Sequence, residues 1–312
     1  MKPSLVLLLL LAGVPRVWAQ AAPDSAAQAS DQSTFKVDVR LVNVFATVVD
    51  EHGAPVANLK KDDFQLLEDG IPQQIAVFDK ESGLPLSIVV AVDTSLSTRK
   101  DIRLELDSAR RFAHSILRPV DALSLYQFSE YVDEVVPFTS SLGEIDRGIE
   151  RVHVGAATAL YDAIYLGSLT LEDRQGRKVL VVITDGGDTA SKVDYADAVR
   201  EAQQAEAIVY SIIVVPIEAS AGRNTGGEHA LIEISRATGG KYYYASSLQD
   251  LDSAFRQISD ELRTQYLLAY YPKQRLADSD FRQIEVRVLP SSGGGDRYNA
   301  RHRTGYYTSK SH

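Results

Sequence analysis

The chain has no cysteine. Disulfides, thiolate–zinc sites and a lipid anchor on a cysteine are therefore excluded, and packing and hydrogen bonding alone must hold the fold. Methionine and tryptophan occur once each, and the six histidines show no His/Glu pairing at the spacing of a zinc hydrolase. A Gly-x-Ser-x-Gly elbow and a phosphate-cradling glycine loop are also missing. Basic residues are outnumbered: 33 Lys and Arg face 42 Asp and Glu, for a formal charge of −9 and a pI near 5.2. Such a chain lacks the basic face that generic nucleic-acid binding needs. After the first 19 residues, no apolar run approaches the ~20 residues that span a bilayer.

What is there is ordinary globular material. With 312 residues, 45% of them hydrophobic, the chain has room for a large core and two domains. Residues 1–19 read as a secretory leader. Lys2 supplies the basic start, residues 5–12 a short apolar stretch, and Val17-Trp18-Ala19 a small-x-small cleavage site. The alternative is an uncleaved N-terminal anchor. The expectation is an exported protein that is periplasmic, on the cell surface or extracellular. Residues 20–33, rich in Ala, Ser, Asp and Gln, read as a flexible linker.

Residues 34–83 carry β patterns. Phe35, Val37, Val39 and Leu41 alternate, as do Phe45, Thr47 and Val49. Residues 64–68 form a short strand, Asp69-Gly70 a tight turn, and residues 73–78 the returning strand. His52 falls in a turn, where solvent exposure is the simplest expectation.

The chain is organised around residues 86–98. Residues 86–92 are almost unbroken apolar and β-branched, the pattern of a parallel strand buried on both faces. The run ends on Asp93, and hydroxyls follow at Thr94, Ser95, Ser97 and Thr98. Ligands of open α/β sheets bind just beyond the carboxyl ends of the strands. There Asp93, Ser95 and Ser97 offer only oxygen, the donor a hard divalent cation takes. Helical periodicity follows over residues 102–117, then a strand pair over 121–128 and 131–138, and a helix over 142–152. Gly155-Ala156-Ala157-Thr158 leads into another helix. Residues 179–185 form a second buried strand, ending Thr184-Asp185-Gly186. Helix, strand and helix follow over residues 195–205, 208–215 and 230–237; Tyr242-Tyr243-Tyr244 and a last helix over 248–262 complete the alternation. This is the pattern of a doubly wound α/β fold, a mostly parallel sheet with helices on both faces.

The Asp93-x-Ser95-x-Ser97 run resembles the metal-ion-dependent adhesion site of von Willebrand factor type A domains. That family's site needs a Thr from a later loop and an Asp ending a later strand. The resemblance implies Thr158 and Asp185 in those roles. Read singly, each piece has a plainer explanation: Ser or Thr after a strand caps the next helix, and Asp-Gly makes a turn. Their order along the chain, each at an expected strand end or helix start, sets the group apart. The stretches around Val42-Asn43-Val44, Leu59–Phe64 and Glu68-Asp69-Gly70 also resemble the leading β module of a related subgroup common in acidobacterial secreted proteins. The tail's Tyr266-x-Leu268-x-Tyr270-Tyr271-Pro272 and Gly305-Tyr306-Tyr307 resemble the ending of that subgroup.

The resulting division is residues 84–262 for the type A domain, with strands of residues 263–312 pairing back onto residues 34–83 in one small sandwich. Too few strands lie in the tail for a core of its own. The alternative is that the tail extends the edge of the type A domain.

For function, the resemblance implies an adhesion-type, protein-binding module rather than an enzyme. Asp93 and Asp185 would balance the cation, and Ser95, Ser97 and Thr158 would supply direct or water-bridged oxygens. An acidic residue of a partner protein would complete the coordination. Mg²⁺ (or Mn²⁺) suits so few carboxylates better than Ca²⁺ with its six to eight oxygens. No catalytic residue is assigned. The other readings are a metal-assisted hydrolase, which lacks a second Asp after Asp93 for an Asp-x-Asp nucleophile, and a structural envelope module without a ligand. Arg99, Lys100, Asp188 and Ser191 are rim candidates for setting specificity. The polar, Gly-rich residues 216–228 receive no role. His114 and His153 read as packed or surface histidines, and oligomeric state is left open.

Overall fold

The computed structural model describes residues 41–80, 83–96, 98, 102–215, 225–273, 281–289 and 298–308. The leader, the linker, Ser97, Arg99, Lys100, the loop over 216–224 and the Gly-rich stretch over 291–296 lie outside the described residues. The first elements are strands β1 (Val42–Val49), β2 (Phe64–Glu68), β3 (Ile71–Gln73) and β4 (Ile75–Lys80). The α/β portion follows: β5 (Leu86–Asp93), α1 (Ile102–Ile116), β6 (Ala122–Phe128), β7 (Val132–Thr139), α2 (Leu142–Ile149), α3 (Leu160–Glu172), β8 (Arg177–Thr184), α4 (Tyr195–Gln204), β9 (Ala207–Val214), α5 (Thr225–Thr238), β10 (Tyr242–Ala245) and α6 (Leu248–Thr264). Strands β11 (Tyr266–Tyr270), β12 (Phe281–Val288), β13 (Asn299–Arg301) and β14 (Gly305–Tyr307) follow.

The central sheet has six strands in the order β10-β9-β8-β5-β6-β7. All neighbours are parallel except β6 and β7, an antiparallel hairpin at one edge. Every residue of β5, and of β9, is buried, because helices cover both faces. Side chains alternate across β5. Ile88, Val90 and Val92 join α1, α2 and α6 in one core, while Val89 and Ala91 join α3, α4 and α5 in the other. A fully buried aliphatic side chain of this kind contributes about 1.5–3 kcal/mol. Phe112 and Phe255 stack with centroids 4.6 Å apart, fastening α1 to α6. The chain leaves β5 towards β6 and β7, then returns to β8 on the other side, so the strand order reverses at β5. Open α/β sheets bind ligands at such a reversal, beyond the carboxyl ends of the strands, and Asp93 stands there.

The remaining strands form two four-stranded antiparallel sheets, β13-β1-β11-β4 and β14-β12-β2-β3. They face each other across a core that includes Val44, Leu66, Tyr266, Leu268, Tyr270 and Val286. The tail therefore pairs with the N-terminal strands, with β11 between β1 and β4, and does not extend the six-stranded sheet. The tyrosines bring polar ends into this core and find partners there. Tyr266 donates its hydroxyl to the Val56 carbonyl at 2.7 Å and accepts the Leu59 N–H at 3.0 Å. Tyr270 and Tyr306 both donate to the buried Glu68 carboxylate, at 2.6 and 2.9 Å.

The structure departs from the sequence expectation at the hairpin after β2. Asp69 and Gly70 have φ of 48° and 77°, as a two-residue hairpin turn requires. The returning strand is not continuous, however. It pairs with β2 only over residues 71–73, then crosses to the opposite sheet as β4 beside β11. Helix α5 begins at Thr225, earlier than its apolar pattern indicates, and α3 begins at Leu160, leaving Thr158 in the preceding loop. No helix among the described residues is long and apolar enough to cross a membrane.

The tail also grips the α/β portion. Arg301 of β13 forms an ion pair with Glu261 of α6 and donates to the Gly239 carbonyl at 3.2 Å. The Thr304 N–H donates to the Ala237 carbonyl at 2.9 Å. Gly239 has φ of 84°, and a Cβ there would lie 2.6 Å from the Arg303 nitrogen. Only glycine combines that backbone angle with so close an approach.

Candidate functional site

Asp93 is the last residue of β5 and is fully buried. Both carboxylate oxygens are held from within the fold. Oδ1 accepts the Ser95 N–H at 2.9 Å, and Oδ2 accepts the hydroxyl of Thr184, the last residue of β8, at 2.6 Å. Thr184 Oγ1 in turn accepts the Gly186 N–H at 3.1 Å. Gly186, with φ of 97°, turns the chain just past Asp185. The β5–α1 turn is fixed by Thr98, whose hydroxyl lies 3.1 Å from the Asp93 carbonyl and 3.0 Å from that of Ser95.

Burial pushes the Asp93 carboxyl up to about 6. The bonds from Thr184 and Ser95 counter this in part, and the neighbouring Asp185 charge raises it further.

Two further loops meet this rim. The Gly155 N–H donates to the Thr94 carbonyl at 2.8 Å, so the Thr158 loop lies directly on the β5–α1 turn. Thr158 itself is buried. Its N–H donates to Thr189 Oγ1 at 2.9 Å, and its carbonyl accepts the Thr189 and Ala190 N–H groups at 2.8 and 3.1 Å. Asp188 reaches across to accept the Leu160 N–H at 2.9 Å, and Ser191 accepts that of Asp162 at 3.1 Å. Helix α3 has no cap from its own side chains. The β8–α4 loop supplies one, which answers the orphaned donors of its first turn. Asp188 and Ser191, which the sequence offered as rim residues for specificity, are thus engaged in holding α3.

The structure brings Asp93, Ser95, Thr158 and Asp185 to one rim of the sheet, on three loops that hydrogen-bond to one another; Ser97 lies outside the described residues. Sequence reasoning passed over Thr184, which anchors Asp93. Its signal was a lone hydroxyl closing the otherwise apolar run of β8. The donor set is carboxylate and hydroxyl oxygen throughout. No group of three or more His, Cys, Asp and Glu side chains gathers anywhere among the described residues. A buried carboxylate pressed by a second one, amid hydroxyls, fits a small hard cation and not zinc.

His153, in the loop leading to Thr158, packs against Gln127 of β6; its N–H donates to Gln127 Oε1 at 3.1 Å. His114 pairs with Asp146 on the surface of α1 and α2.

Residues 88–187 match the family model of the von Willebrand factor type A domain. The fold is similar to that of a von Willebrand factor type A protein from Catenulispora acidiphila, with TM-score 0.50 and 10% identity, over 85% of this chain and 74% of that one. Weaker likenesses include the conserved hypothetical protein BatB from Bacteroides thetaiotaomicron, at TM-score 0.45 and 18% identity over 57% of this chain and all of that one. The vWF domain of the type V pili tip protein Mfa5 from Porphyromonas gingivalis aligns at TM-score 0.45 and 12% identity, over 57% of this chain and 94% of that one. No curated protein matches the chain.

Proposed function

From the premise that this chain carries a von Willebrand factor type A domain, we propose that it is a protein-binding, adhesion-type module rather than an enzyme. Its site holds a divalent cation, Mg²⁺ or Mn²⁺ rather than Ca²⁺, and through it captures an acidic side chain of a partner protein. Asp93 and Asp185 balance the charge, and Ser95, Ser97 and Thr158 supply neutral oxygens. The observation that carries this reading is Asp93. A fully buried carboxylate, raised to about 6 and repelled by Asp185, is costly unless a cation compensates it. The pattern of residues 1–19 supports export to the envelope or beyond.

The test is metal-dependent stability. Mg²⁺ or Mn²⁺ raises the melting temperature of the purified protein, because a ligand that binds only the folded state stabilises it by mass action. Asp93→Ala abolishes that rise. Calorimetry that finds equal Mg²⁺ binding by the wild type and Asp93→Ala would remove the site assignment. Metal-dependent pull-down from envelope extracts then separates an adhesive role from a purely structural one.

A further inference from the structure

The segment that delivers Thr158 has no regular structure between α2 and α3, so its position must be set by contacts from elsewhere. The β8–α4 loop holds Thr158 itself through Thr189 and Ala190, and the β6–β7 hairpin holds the residues on either side of it. The Ala159 N–H donates to the Ser129 carbonyl at 2.6 Å. Between this contact and the one from Gly155 to Thr94 sits the Glu130 side chain at the hairpin tip. Its Oε2 accepts the Ala156 N–H at 2.7 Å and faces that of Ala157 at 3.5 Å. The loop is pressed hard onto this tip. A Cβ added at Gly155 would lie 2.1 Å from Ser129 Oγ, 2.4 Å from Ser129 Cβ and 2.7 Å from Glu130 Oε2. Gly155 is therefore what allows the loop to come close enough for the carboxylate to hold it.

We infer that Glu130 is a positioning residue for Thr158: it clamps residues 155–157 to the β6–β7 hairpin and, together with the bonds from Thr189 and Ala190, sets where the Thr158 hydroxyl stands at the site. The inference rests on the metal-binding reading given above. Glu130 acts through the loop backbone and is not itself counted among the cation's oxygens. A carboxylate accepting backbone N–H groups forms strong, charge-assisted bonds. The Ala156 N–H, with smaller contributions from its neighbours, holds the Glu130 carboxyl down to about 2, so the clamp is ionised throughout the working pH range. Residues that orient a ligand to a metal without touching it cost about 10–100-fold in affinity when lost.

The experiment is Mn²⁺ titration calorimetry on the full chain and on Glu130→Ala, Glu130→Gln, Gly155→Ala, Thr158→Ala and the Glu130→Ala/Thr158→Ala double variant. Hydrogen exchange at the Ala156 and Ala157 amides is measured alongside. Glu130→Ala should weaken Mn²⁺ binding about tenfold and speed exchange at both amides. Gly155→Ala should do the same while leaving the carboxylate in place. Glu130→Gln should bind like the wild type, because its amide oxygen still accepts the Ala156 N–H. The double variant should bind no more weakly than Thr158→Ala alone, since a clamp has nothing to position once the hydroxyl is gone.

Additive losses in the double variant would overturn the inference. So would a Glu130→Gln variant as weak as Glu130→Ala, which would mean that the charge near the cation matters and not the clamp. Either result leaves the metal site standing. A wild-type chain that takes up no Mn²⁺ removes the metal-binding reading, and the inference with it.

Discussion

Replacing Asp93 with asparagine is expected to stabilise the metal-free protein while destroying its response to metal. In the folded chain the Asp93 carboxyl titrates near 6 instead of its ordinary 3.8. The folded state therefore holds this proton more tightly than the unfolded state does. The stability this provides is complete below pH 3.8 and is lost as the pH rises through about 6. Roughly two pKa units correspond to about 3 kcal/mol, removed between pH 4 and pH 7. Asparagine does not ionise and escapes this loss. Its amide keeps an acceptor for the Ser95 N–H but presents a donor to Thr184, which in the wild type donates to Asp93 Oδ2 and accepts the Gly186 N–H. Turning that hydroxyl away gives back about 1 kcal/mol.

The net gain at pH 7.5 without metal is about 2 kcal/mol, or roughly 4 °C in Tm for a chain of this size. Added Mg²⁺ closes the gap from the other side, because occupancy at 100 times Kd stabilises the wild type by about 2.7 kcal/mol and leaves the variant unchanged. Melting curves at pH 4, 5.5 and 7.5, with EDTA or with Mg²⁺, measure all of this. If the two proteins share one pH slope in EDTA, or if the variant is the less stable at pH 7.5, then Asp93 is not a buried charge awaiting compensation and the reasoning fails.

Other consequences are open to simpler tests. Arg301→Ala removes the closest partner of the buried Glu261 carboxylate on α6, leaving it the Tyr243 hydroxyl at 3.4 Å and Lys241 at 3.8 Å, and is expected to destabilise the protein by about 2–3 kcal/mol in urea titration; an effect below about 1 kcal/mol would show that the tail's grip on α6 is not ionic. Gly239→Ala forces a side chain into a left-handed position against the His302–Arg303 backbone and should lower stability by more than about 1 kcal/mol, whereas alanine at the open Gly143, where the nearest atom is 3.6 Å away, should not. Mass spectrometry of protein recovered from its native envelope or medium should find Gln20 at the N-terminus; a chain still beginning at Met1 would point to an uncleaved anchor.

Much of the α/β portion was legible in the sequence because burial there is complete. A strand covered on both faces is apolar along most of its length, so β5 and β8 announce themselves, and the first acidic residue to close each apolar run marks the rim. Asp93 and Asp185 are found that way. The supports of the site are written differently. Thr184, Asp188 and Glu130 act on residues 91, 28 and 26 positions away, and no local periodicity encodes a hydrogen bond across such distances. The sandwich was harder for the same reason. Pairing of β1 with β11 joins residues more than 200 positions apart, and the crossing from β3 to β4 turns on the single exposed Gln74 between buried Gln73 and Ile75. Strand β13, only three residues long and half-exposed, carries too little alternation to be read at all.

Strands β4 and β11 pair side by side, with Lys80 opposite Tyr266. Between them runs the whole α/β portion, so the sandwich draws shut a loop of about 185 residues. In a chain without cysteine, this pairing has the topology of a covalent cross-link. While the sandwich stays folded, the α/β portion can unravel only with its ends pinned together, a restriction on its unfolded state worth on the order of 5 kcal/mol by loop-closure entropy. The two parts should then melt as one cooperative unit. Any change that frays β4 or β11 would loosen the rim that carries Asp93 from a distance, with no residue of the site itself altered.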